Sequence, residues 1–334
     1  MVVGMMLQEK VRRLYNEFGQ GKTMGVRIPD TKKPYFFLHR TFIGEQDLLI
    51  IFNTKRCRYK CHFCQLPSKH SHTSVPGENI LSQFEYVMNE LKHSLSILDR
   101  VTISNDGSVL DTDTIPTEIL FLISKCVNQL RRVRTFVLET RLEFIVPKII
   151  KQISILVPRA KVNILTGFET LDSHIRDNIL DKQETLEEFE LGLDKVAEVG
   201  SDLTAFVIFK PCQTMTDSEA IIEASVSIDY LVKQCENRDI NLTIRLNPMF
   251  AAKGSVWSDI AKNTPEYKPP RLTDIIALAS HKALEGVKMY IGLSTEGLED
   301  NWGNYRFRED FSSKLIKKIV LFNNGKISSF GGVE

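Results

Sequence analysis

Short apolar segments alternate with longer helix-like segments along most of this 334-residue chain. Apolar runs of four to eight residues are typical of buried strands, and here each lies too far from the next for a hairpin. Strands joined by helices pair in parallel. Six strands are predicted in this way, over residues 47–53, 100–104, 134–139, 161–165, 203–209 and 241–246. The pattern alone fits either a doubly wound sheet or a barrel, so the fold class is α/β.

The segments outside these strands divide the chain into three parts. A helix over 5–18 and irregular chain up to residue 46 form a predicted N-terminal cap, residues 1–46. The strands and their helices form the body, residues 47–250, including a helix over 217–236 with Thr216 or Asp217 as its N-cap. Residues 251–334 form an extension. This extension comprises a loop-rich stretch, a helix over 273–284, a strand over 287–291 and a hairpin over 318–330, turning at Asn324-Gly325.

Composition excludes several classes of protein. The net charge is +1, which does not suggest the basic domain of most nucleic-acid binders. The apolar and charged fractions, 43% and 25%, are ordinary for a globular protein. No apolar run approaches the length needed to cross a bilayer, and six cysteines are too few for a disulfide scaffold in a chain this long. We therefore expect a cytoplasmic protein without membrane contact.

Three cysteines directly follow the first predicted strand. Cys57, Cys61 and Cys64 lie in one short loop, and thiolates are soft ligands for iron–sulfur clusters or zinc. Three are one too few for a closed structural zinc site, but they suit a [4Fe–4S] cluster with one open iron. The alternatives are a zinc knuckle completed by a nearby histidine, or three unrelated thiols. The candidate histidines are His62, His70 and His72.

The pattern Cys-x3-Cys-x-aromatic-Cys after a first strand resembles that of the radical S-adenosylmethionine (radical SAM) superfamily. The resemblance implies a partial (βα)6 TIM-like barrel, open on one side. It implies that Cys57, Cys61 and Cys64 hold the cluster and that Phe63 packs near the adenine of SAM. In that family the open iron chelates SAM, and an external one-electron donor such as flavodoxin or ferredoxin reduces the cluster. Cleavage of SAM then gives methionine and a 5′-deoxyadenosyl radical, which abstracts hydrogen from the substrate.

Polar residues at the strand ends are candidates for the SAM pocket, because ligands of parallel barrels bind at the carboxyl ends of the strands. The second strand ends in Asn105-Asp106-Gly107, where the family has a Gly-Gly-Glu-like turn. By this resemblance the turn contacts SAM, and Asp106 is a candidate partner of its ammonium group. The alternative is a plain loop with an Asx turn.

The third and fourth strands end in charged residues. Glu139-Thr140-Arg141 resembles a Glu-Thr-Arg motif of the Elongator catalytic subunits, where both charged residues serve the SAM pocket. Gly167 and Glu169, followed by Arg176, match a similar stretch in the same relatives. By analogy Gly167 admits the nucleoside, and Glu169 and Arg176 contact SAM. The alternatives are a surface ion pair for Glu139 and Arg141, and a helix-terminal carboxylate for Glu169.

Residues 80–280 most resemble the radical SAM subunits of archaeosine synthases, which act on a lysine-modified deazaguanine in tRNA. The fifth strand shares their Phe-Lys-Pro end, but it continues with Cys212 where they tend to have a second proline, and the cysteine loop is more compact than theirs. Cys212 is our catalytic candidate, as a hydrogen donor, ligand or sulfur source. The alternative is a small buried hydrophobe.

Three further side chains at strand ends are predicted to bind substrate: Lys210, Arg245 and Asn247. The sequence therefore predicts a radical SAM enzyme acting on a small biosynthetic substrate, nucleoside-derived compounds included. A tRNA-modifying enzyme of the archaeosine type, with tRNA as a partner, is the alternative. A non-catalytic zinc-binding module is the second alternative.

Overall fold

The computed structural model describes residues 30–64, 71–105, 107–249, 255–292, 313–327 and 330. These residues form one sheet whose eight strands follow each other in chain order. The first pair is antiparallel, and the remaining neighbours are parallel. The strands are β1 (Phe36–Phe42), β2 (Glu45–Ile51), β3 (Arg100–Ser104), β4 (Thr135–Glu139), β5 (Lys161–Glu169), β6 (Asp202–Phe209), β7 (Leu242–Pro248) and β8 (Lys288–Ile291). The six predicted parallel strands are β2 to β7, so the α/β prediction is confirmed.

Helices connect the parallel strands, and one more follows the last strand. They are α1 (Gly77–Leu91), α2 (Thr117–Asn128), α3 (Pro147–Leu156), α4 (Leu186–Glu198), α5 (Asp217–Glu236), α6 (Val256–Lys262), α7 (Leu272–Leu284) and α8 (Ser313–Asn323), with a π-helical turn over Ile175–Ile179. The predicted cap of α5 is Thr216, whose hydroxyl accepts the Glu219 N–H in a capping box. No helix in the described residues is long and apolar enough to span a membrane.

The two faces of the sheet differ in polarity. On the outer face, residues such as Val101 and Ile103 join the main apolar core with the helices. Helix α1 buries Ile80, Phe84 and Val87 in that core, at the spacing of one helix face. The intervening positions of the strands, such as Thr102, face inwards and are often polar. The inner face is therefore the part of the sheet that can line a binding site.

The sheet curls until its two edge strands touch. The Phe42 ring, at the end of β1, stacks on the Tyr290 ring of β8 with centroids 4.4 Å apart. Among the described residues no hydrogen-bonded ladder joins these two strands. The predicted partial barrel is thus confirmed, with an edge contact made by side chains rather than by backbone.

Charged side chains fill the end of the barrel opposite the cysteine loop. Asp47 is fully buried, pairs with Arg40 at 2.8 Å and accepts the Thr102 hydroxyl at 2.8 Å. Arg100 pairs with Glu45 at 3.1 Å. Buried charges require partners of this kind. Because this end is closed by its own ion pairs, the carboxyl ends of the strands are left for a ligand.

The structure corrects the predicted N-terminal cap. Residues 36–42, expected to be irregular, form strand β1 and pair with β2. This strand shows no alternation of apolar and polar residues, because both of its faces are largely buried. His39 and Arg40 also interrupt what would otherwise be an apolar run. Helix α6 similarly occupies part of the stretch predicted as loop-rich. The predicted helix over 5–18 lies outside the described residues.

The predicted C-terminal hairpin is wrong. Helix α8 covers the whole of its first strand, because Leu315, Ile316, Ile319 and Phe322 recur at helical spacing and pack on the core. Gly325, at φ +65°, ends the helix as a C-cap, and the Lys326 N–H returns to the Leu321 carbonyl at 2.9 Å. Asparagine followed by glycine suits this cap as well as it suits a hairpin turn.

Candidate active site at the carboxyl ends of the strands

The cysteine loop lies at the carboxyl end of β2 and is held from two sides. Cys57, Cys61 and Cys64 are all half-buried. The His62 N–H donates to the Leu180 carbonyl at 2.8 Å, and the His62 carbonyl accepts the Trp257 N–H at 3.0 Å. These two bonds clamp the middle of the loop between the chain after the π-helical turn and the start of α6.

The turn after β3 lies against the first cysteine. A Cβ added to Gly107 would lie 3.1 Å from Cys57 Sγ, so this position has no room for a larger residue without movement. Asn105 is buried, donates to the Thr114 hydroxyl at 3.1 Å and accepts the Gly107 N–H at 3.1 Å. Asn105 therefore shapes the turn, and Gly107 brings it close to the cysteine. Asp106 lies outside the described residues.

Arg141 connects the cysteine loop to the chain that follows the π-helical turn. Its guanidinium donates to the Lys182 carbonyl at 2.8 Å and the Gln183 carbonyl at 2.7 Å, and it lies 3.8 Å from the Tyr59 ring centre. Glu139 is half-buried at the end of β4, and its carbonyl accepts the Val109 N–H. Both predicted residues thus lie at the carboxyl ends of the strands. Arg141 holds the chain after the π-helical turn against the cysteine loop.

Glu169 is folded back against its own strand. It follows a bulge in the β5–β6 pairing and has φ +72°, a left-handed conformation that is costly for glutamate. A Cβ on Gly167 would lie 2.0 Å from Glu169 Oε1, so glycine makes the space that this carboxylate occupies. Burial raises the pKa of the Glu169 carboxyl, while Lys182 and Arg176 act in the opposite direction.

Lys182 was not among the residues predicted from the sequence. Its side chain is buried, lies 3.3 Å from Glu184 Oε2 and comes within 3.4 Å of the Cβ position at Gly167. Asp181 and Gln183 both have positive φ, which turns the lysine inwards. Because these positive φ angles belong to the local conformation rather than to the residue types, the sequence alone does not mark Lys182.

Burial works against the anionic form of the second cysteine, and two basic side chains only partly offset this effect. Burial raises the pKa of the Cys61 thiol, whereas Lys182 and Arg141 lower it. Cys61 Sγ lies 4.0 Å from the Lys182 carbonyl. Basic side chains such as Lys182 and Arg141 are the groups that stabilise a thiolate ligand.

Arg176 is an internal brace. Its Nε donates to the Glu184 carbonyl at 2.7 Å, and Nη2 pairs with the Glu184 carboxylate at 2.9 Å. Nη1 donates to the carbonyls of Phe168 and Thr170. The guanidinium thus ties the π-helical turn to the end of β5, and it contributes its charge to the surroundings of Glu169.

The end of β6 brings Phe63 and Cys212 into one small apolar cluster beside the cysteine loop. Cys212 is half-buried, and its sulfur lies 3.3 Å from the Thr214 hydroxyl. Lys210 is fully buried at φ +65°, and its ammonium pairs with Asp217 at 2.8 Å. The structure therefore gives Lys210 a partner at the N-terminus of α5.

The remaining two predicted residues lie together on β7. Arg245 is buried, with its guanidinium carbon 5.0 Å from the Phe206 ring centre. A Cβ at Gly292 would lie 3.0 Å from Arg245 Nε and 1.9 Å from Asn247 Oδ1. Gly292, just past β8, was also missed by the sequence analysis, and it leaves room for both side chains.

Three thiols on one loop are a donor set that an iron–sulfur cluster uses. Among the described residues no three His, Cys, Asp or Glu side chains converge closely enough to hold one metal ion. A cubane spreads its cysteines over separate iron corners, and thiolates are the ligands it requires. The loop, with basic groups beside Cys61, has the residues to hold such a cluster.

Comparisons with known proteins find relatives in sequence. The chain is 26% identical to an uncharacterized protein of Methanocaldococcus jannaschii, MJ0550, over 87% of this chain and 81% of that one. It is 23% identical to the archaeosine synthase subunit beta of Thermococcus kodakarensis, over 67% of this chain and 68% of that one. No family model matches.

A solved structure shares the fold. Streptococcus suis SuiB, bound to S-adenosylmethionine, superposes on 77% of this chain with a TM-score of 0.50 and 13% sequence identity. The chain spans about half the length of SuiB, 53%. The partial barrel, the three-cysteine loop after β2 and these likenesses together confirm the resemblance predicted from the sequence: the chain has the fold and the cysteine motif of the radical SAM enzymes.

Proposed function

We propose that this protein is a radical SAM enzyme that cleaves S-adenosylmethionine and abstracts hydrogen from a small biosynthetic substrate. One observation carries the proposal. Cys57, Cys61 and Cys64 lie on a single clamped loop at the carboxyl ends of the parallel strands, where the charged strand ends converge. When bound there, a reduced [4Fe–4S] cluster supplies the electron that breaks the sulfonium bond of SAM.

The protein's own residues supply orientation and charge. We assign Lys182 to the carboxylate of SAM and Glu169 to its ammonium, because the two side chains are buried together beside Cys61. Such paired charges orient a zwitterion in a site from which water is excluded. Phe63 and its apolar cluster form the wall on the β6 side of the loop. Arg141 holds Lys182 in place through the lysine's backbone carbonyl.

The test is anaerobic reconstitution with iron and sulfide, followed by reduction with dithionite or flavodoxin. The wild type is expected to hold four irons beyond background and to release 5′-deoxyadenosine from SAM. Single alanine variants of the three loop cysteines are expected to lose both, whereas Cys126→Ala, outside the loop, retains both. A wild type with a full iron load that never cleaves SAM contradicts the proposal.

A second candidate function is modification of tRNA, favoured by the likeness to archaeosine synthase subunit beta. It predicts tRNA binding that weakens steeply with salt, because phosphate contacts release counterions. A gel-shift titration between low and physiological salt decides between the two substrates. No shift at low salt favours the small substrate. The zinc-module alternative is tested by metal analysis of the same preparation.

A further inference from the structure

The two helices that follow β3 and β4 leave a groove between them on the outside of the barrel. Its volume is about 430 Å³, and its lining includes the half-buried Phe121, Ile149 and Leu156 and the exposed Lys125 and Lys148. In the part of the chain that the structure describes, neither lysine takes part in an ion pair. The groove therefore combines apolar surface with two positive charges that are available to a partner.

The segment that forms this groove is strongly basic. Residues 117–161 contain nine Lys and Arg against three Asp and Glu, although the whole chain carries a net charge of only +1. Within α2 and α3 themselves, Glu118 is the sole acidic residue. Charges of one sign gathered on one part of a surface attract an oppositely charged partner and steer its approach. The groove thus suits an acidic partner.

Apolar side chains extend this surface beyond the groove. Ile155 on α3 is 68% exposed, Val146 just before α3 is 48% exposed, and Leu122 on α2 is 39% exposed. Contacts with the phosphates of a nucleic acid do not require such apolar area, whereas protein interfaces bury it. A second copy of this chain, packed symmetrically, would bring the same cations together. A different, acidic protein therefore fits this face best.

One end of the groove adjoins the cysteine loop. The Arg58 guanidinium lies 5.2 Å from the ring centre of Phe144, in the turn that leads into α3, and the Tyr59 hydroxyl donates to Glu143 of the same turn. Lys148 comes only four residues after Phe144. A protein seated in the groove would thus lie beside the cysteine loop and leave the mouth of the barrel free for SAM and the substrate.

We propose that the groove between α2 and α3 is the docking face for an acidic one-electron carrier protein that reduces the cluster. The inference rests on the function proposed above, which consumes one electron for each SAM that is cleaved. The carrier loses that electron and the cluster gains it, and no bond or proton is exchanged between the two proteins. Electron-transfer partners meet over small faces of complementary charge, and the groove offers a face of this kind.

The test compares protein reductants with a small one. Reduced flavodoxin and reduced bacterial ferredoxin are acidic carriers that need a docking face, whereas dithionite needs none. The fall in the visible absorbance of the cluster measures each reduction rate without SAM or substrate. At least one carrier is expected to reduce the wild type, at a rate that falls steeply with salt. Reduction by neither carrier, or a rate independent of salt, overturns the proposal.

Charge reversal locates the face. Lys125→Glu combined with Lys148→Glu is expected to slow reduction by the carrier by about tenfold or more at low salt, and to leave reduction by dithionite unchanged. Lys233→Glu combined with Lys288→Glu, at exposed residues on α5 and β8, changes the net charge equally and is the matched control. Circular dichroism and iron content check that each variant is folded. Equal carrier rates in the two double variants overturn the proposal.

The apolar part of the face has its own variant. Ile155→Ala is expected to slow reduction by the carrier severalfold without changing its salt dependence, whereas Ile222→Ala, at a residue 63% exposed on α5, keeps the wild-type rate. If Ile155→Ala instead dissociates a wild-type dimer in sedimentation, the face belongs to a second copy. If the lysine variant loses tRNA binding but keeps its carrier rate, the face belongs to nucleic acid. Either result overturns the proposal.

The same preparations separate this inference from the proposed function. Formation of 5′-deoxyadenosine with dithionite reports on the cysteine loop and not on the groove. A wild type that the carrier reduces through the lysines, but that never cleaves SAM, keeps the docking face and loses the radical chemistry. Cleavage with dithionite, without reduction by either carrier, keeps the chemistry and removes the docking face.

Discussion

At the scale of single residues, Gly167 makes the most specific prediction. Gly167→Ala places a methyl group 2.0 Å from Glu169 Oε1, so the Glu169 side chain must move from its place beside Lys182. We expect a loss of about 1–3 kcal/mol in unfolding free energy, typical of overpacking, and at least tenfold weaker SAM binding. Urea denaturation and equilibrium binding of SAM measure the two effects.

The control for this substitution is Gly200→Ala. Gly200 has φ +62° and nothing within 4 Å of its Cβ position, so alanine there strains only the backbone. It is expected to lower stability modestly and to leave SAM affinity unchanged. If both variants bind SAM as the wild type does, Glu169 and Lys182 do not form the SAM pocket.

Cys212 tests whether a second thiol takes part in the reaction. Its half-buried position beside Phe63 would place it near a bound nucleoside. If it donates hydrogen or sulfur, Cys212→Ala still cleaves SAM but forms no product, as followed by mass spectrometry of the substrate. Cys212→Ser distinguishes lost chemistry from lost packing. Unchanged product formation in the alanine variant would leave Cys212 a packing residue.

The residue scale also shows how far sequence patterns reach. Gly167, Glu169 and Arg141 were predictable because they stand at strand ends, where the strand pattern itself locates the mouth. Lys182 and Gly292 were not, since each acts through a conformation or a close approach. Lys182 turns inwards only because its neighbours adopt positive φ, and Gly292 is needed only because Asn247 lies beside it.

At the scale of elements, helix α5 carries a buried glutamate whose ionisation makes the stability of the protein depend on pH. Burial raises the pKa of Glu223, although its carboxylate accepts hydrogen bonds from Ser227 and Thr170. Between the unfolded and the raised folded pKa the folded state binds more protons, so stability falls as pH rises. Glutamine does not ionise, so the Glu223→Gln variant does not lose stability in this way. Its unfolding free energy is expected to rise, relative to the wild type, by on the order of 1 kcal/mol between pH 4 and pH 8.

Glu219, on the same helix, affects the pH dependence of stability in the opposite direction. The Thr216 backbone N–H donates to its carboxylate and lowers the pKa of Glu219. The hydrogen-bonded carboxylate of Glu219 therefore contributes to stability above the ordinary carboxyl pKa, and this contribution is lost as pH falls. Glu219→Gln should therefore flatten the acid side of the stability profile, and urea titrations at several pH values record both variants. A parallel pH response in the two variants would contradict the assignment.

Helix α8 protects the edge of the sheet. The Asn323 side chain accepts the Ile291 N–H at 2.9 Å and donates to the Ile291 carbonyl at 2.8 Å, replacing the missing neighbour strand. Asn323→Ala leaves two backbone groups without these partners and is expected to cost about 2–4 kcal/mol. Asn324→Ala, one residue later, is the control. Equal stability of the two variants would exclude this role.

Strands with one regular pattern of apolar residues were predictable from the sequence. The turns and helix ends that stop or redirect the chain were not. Strands β3, β4 and β6 match their predictions to within one residue, because apolar residues with few polar interruptions mark them. The hairpin failed because Asn324-Gly325 serves two turn geometries equally, and only packing on β8 selects the helix. Strand β1 was hidden because its charged residues are buried with partners.

At the scale of the whole molecule, the two edge strands of the sheet meet through side chains rather than through backbone pairing. Strands β1 and β8 share no hydrogen-bonded ladder in the part of the chain that the structure describes, yet the rings of Phe42 and Tyr290 are stacked. The Arg100 guanidinium lies 4.4 Å from the Phe42 ring centre. It thus joins this contact to the ion pairs that close the end of the barrel opposite the cysteine loop. We expect this aromatic pair to hold the two edge strands together.

Phe42→Ala tests this closure. Loss of a buried ring is expected to cost about 3–5 kcal/mol and to release both edge strands, so hydrogen exchange should accelerate in β8 as well as in β1. Phe37→Ala is the matched control, since Phe37 is equally buried on the other face of β1 and packs on the outer core. It should destabilise the protein by a similar amount without selective exchange in β8. If β8 stays protected in Phe42→Ala, the barrel keeps its curl through its helices, and the aromatic contact follows from closure instead of causing it.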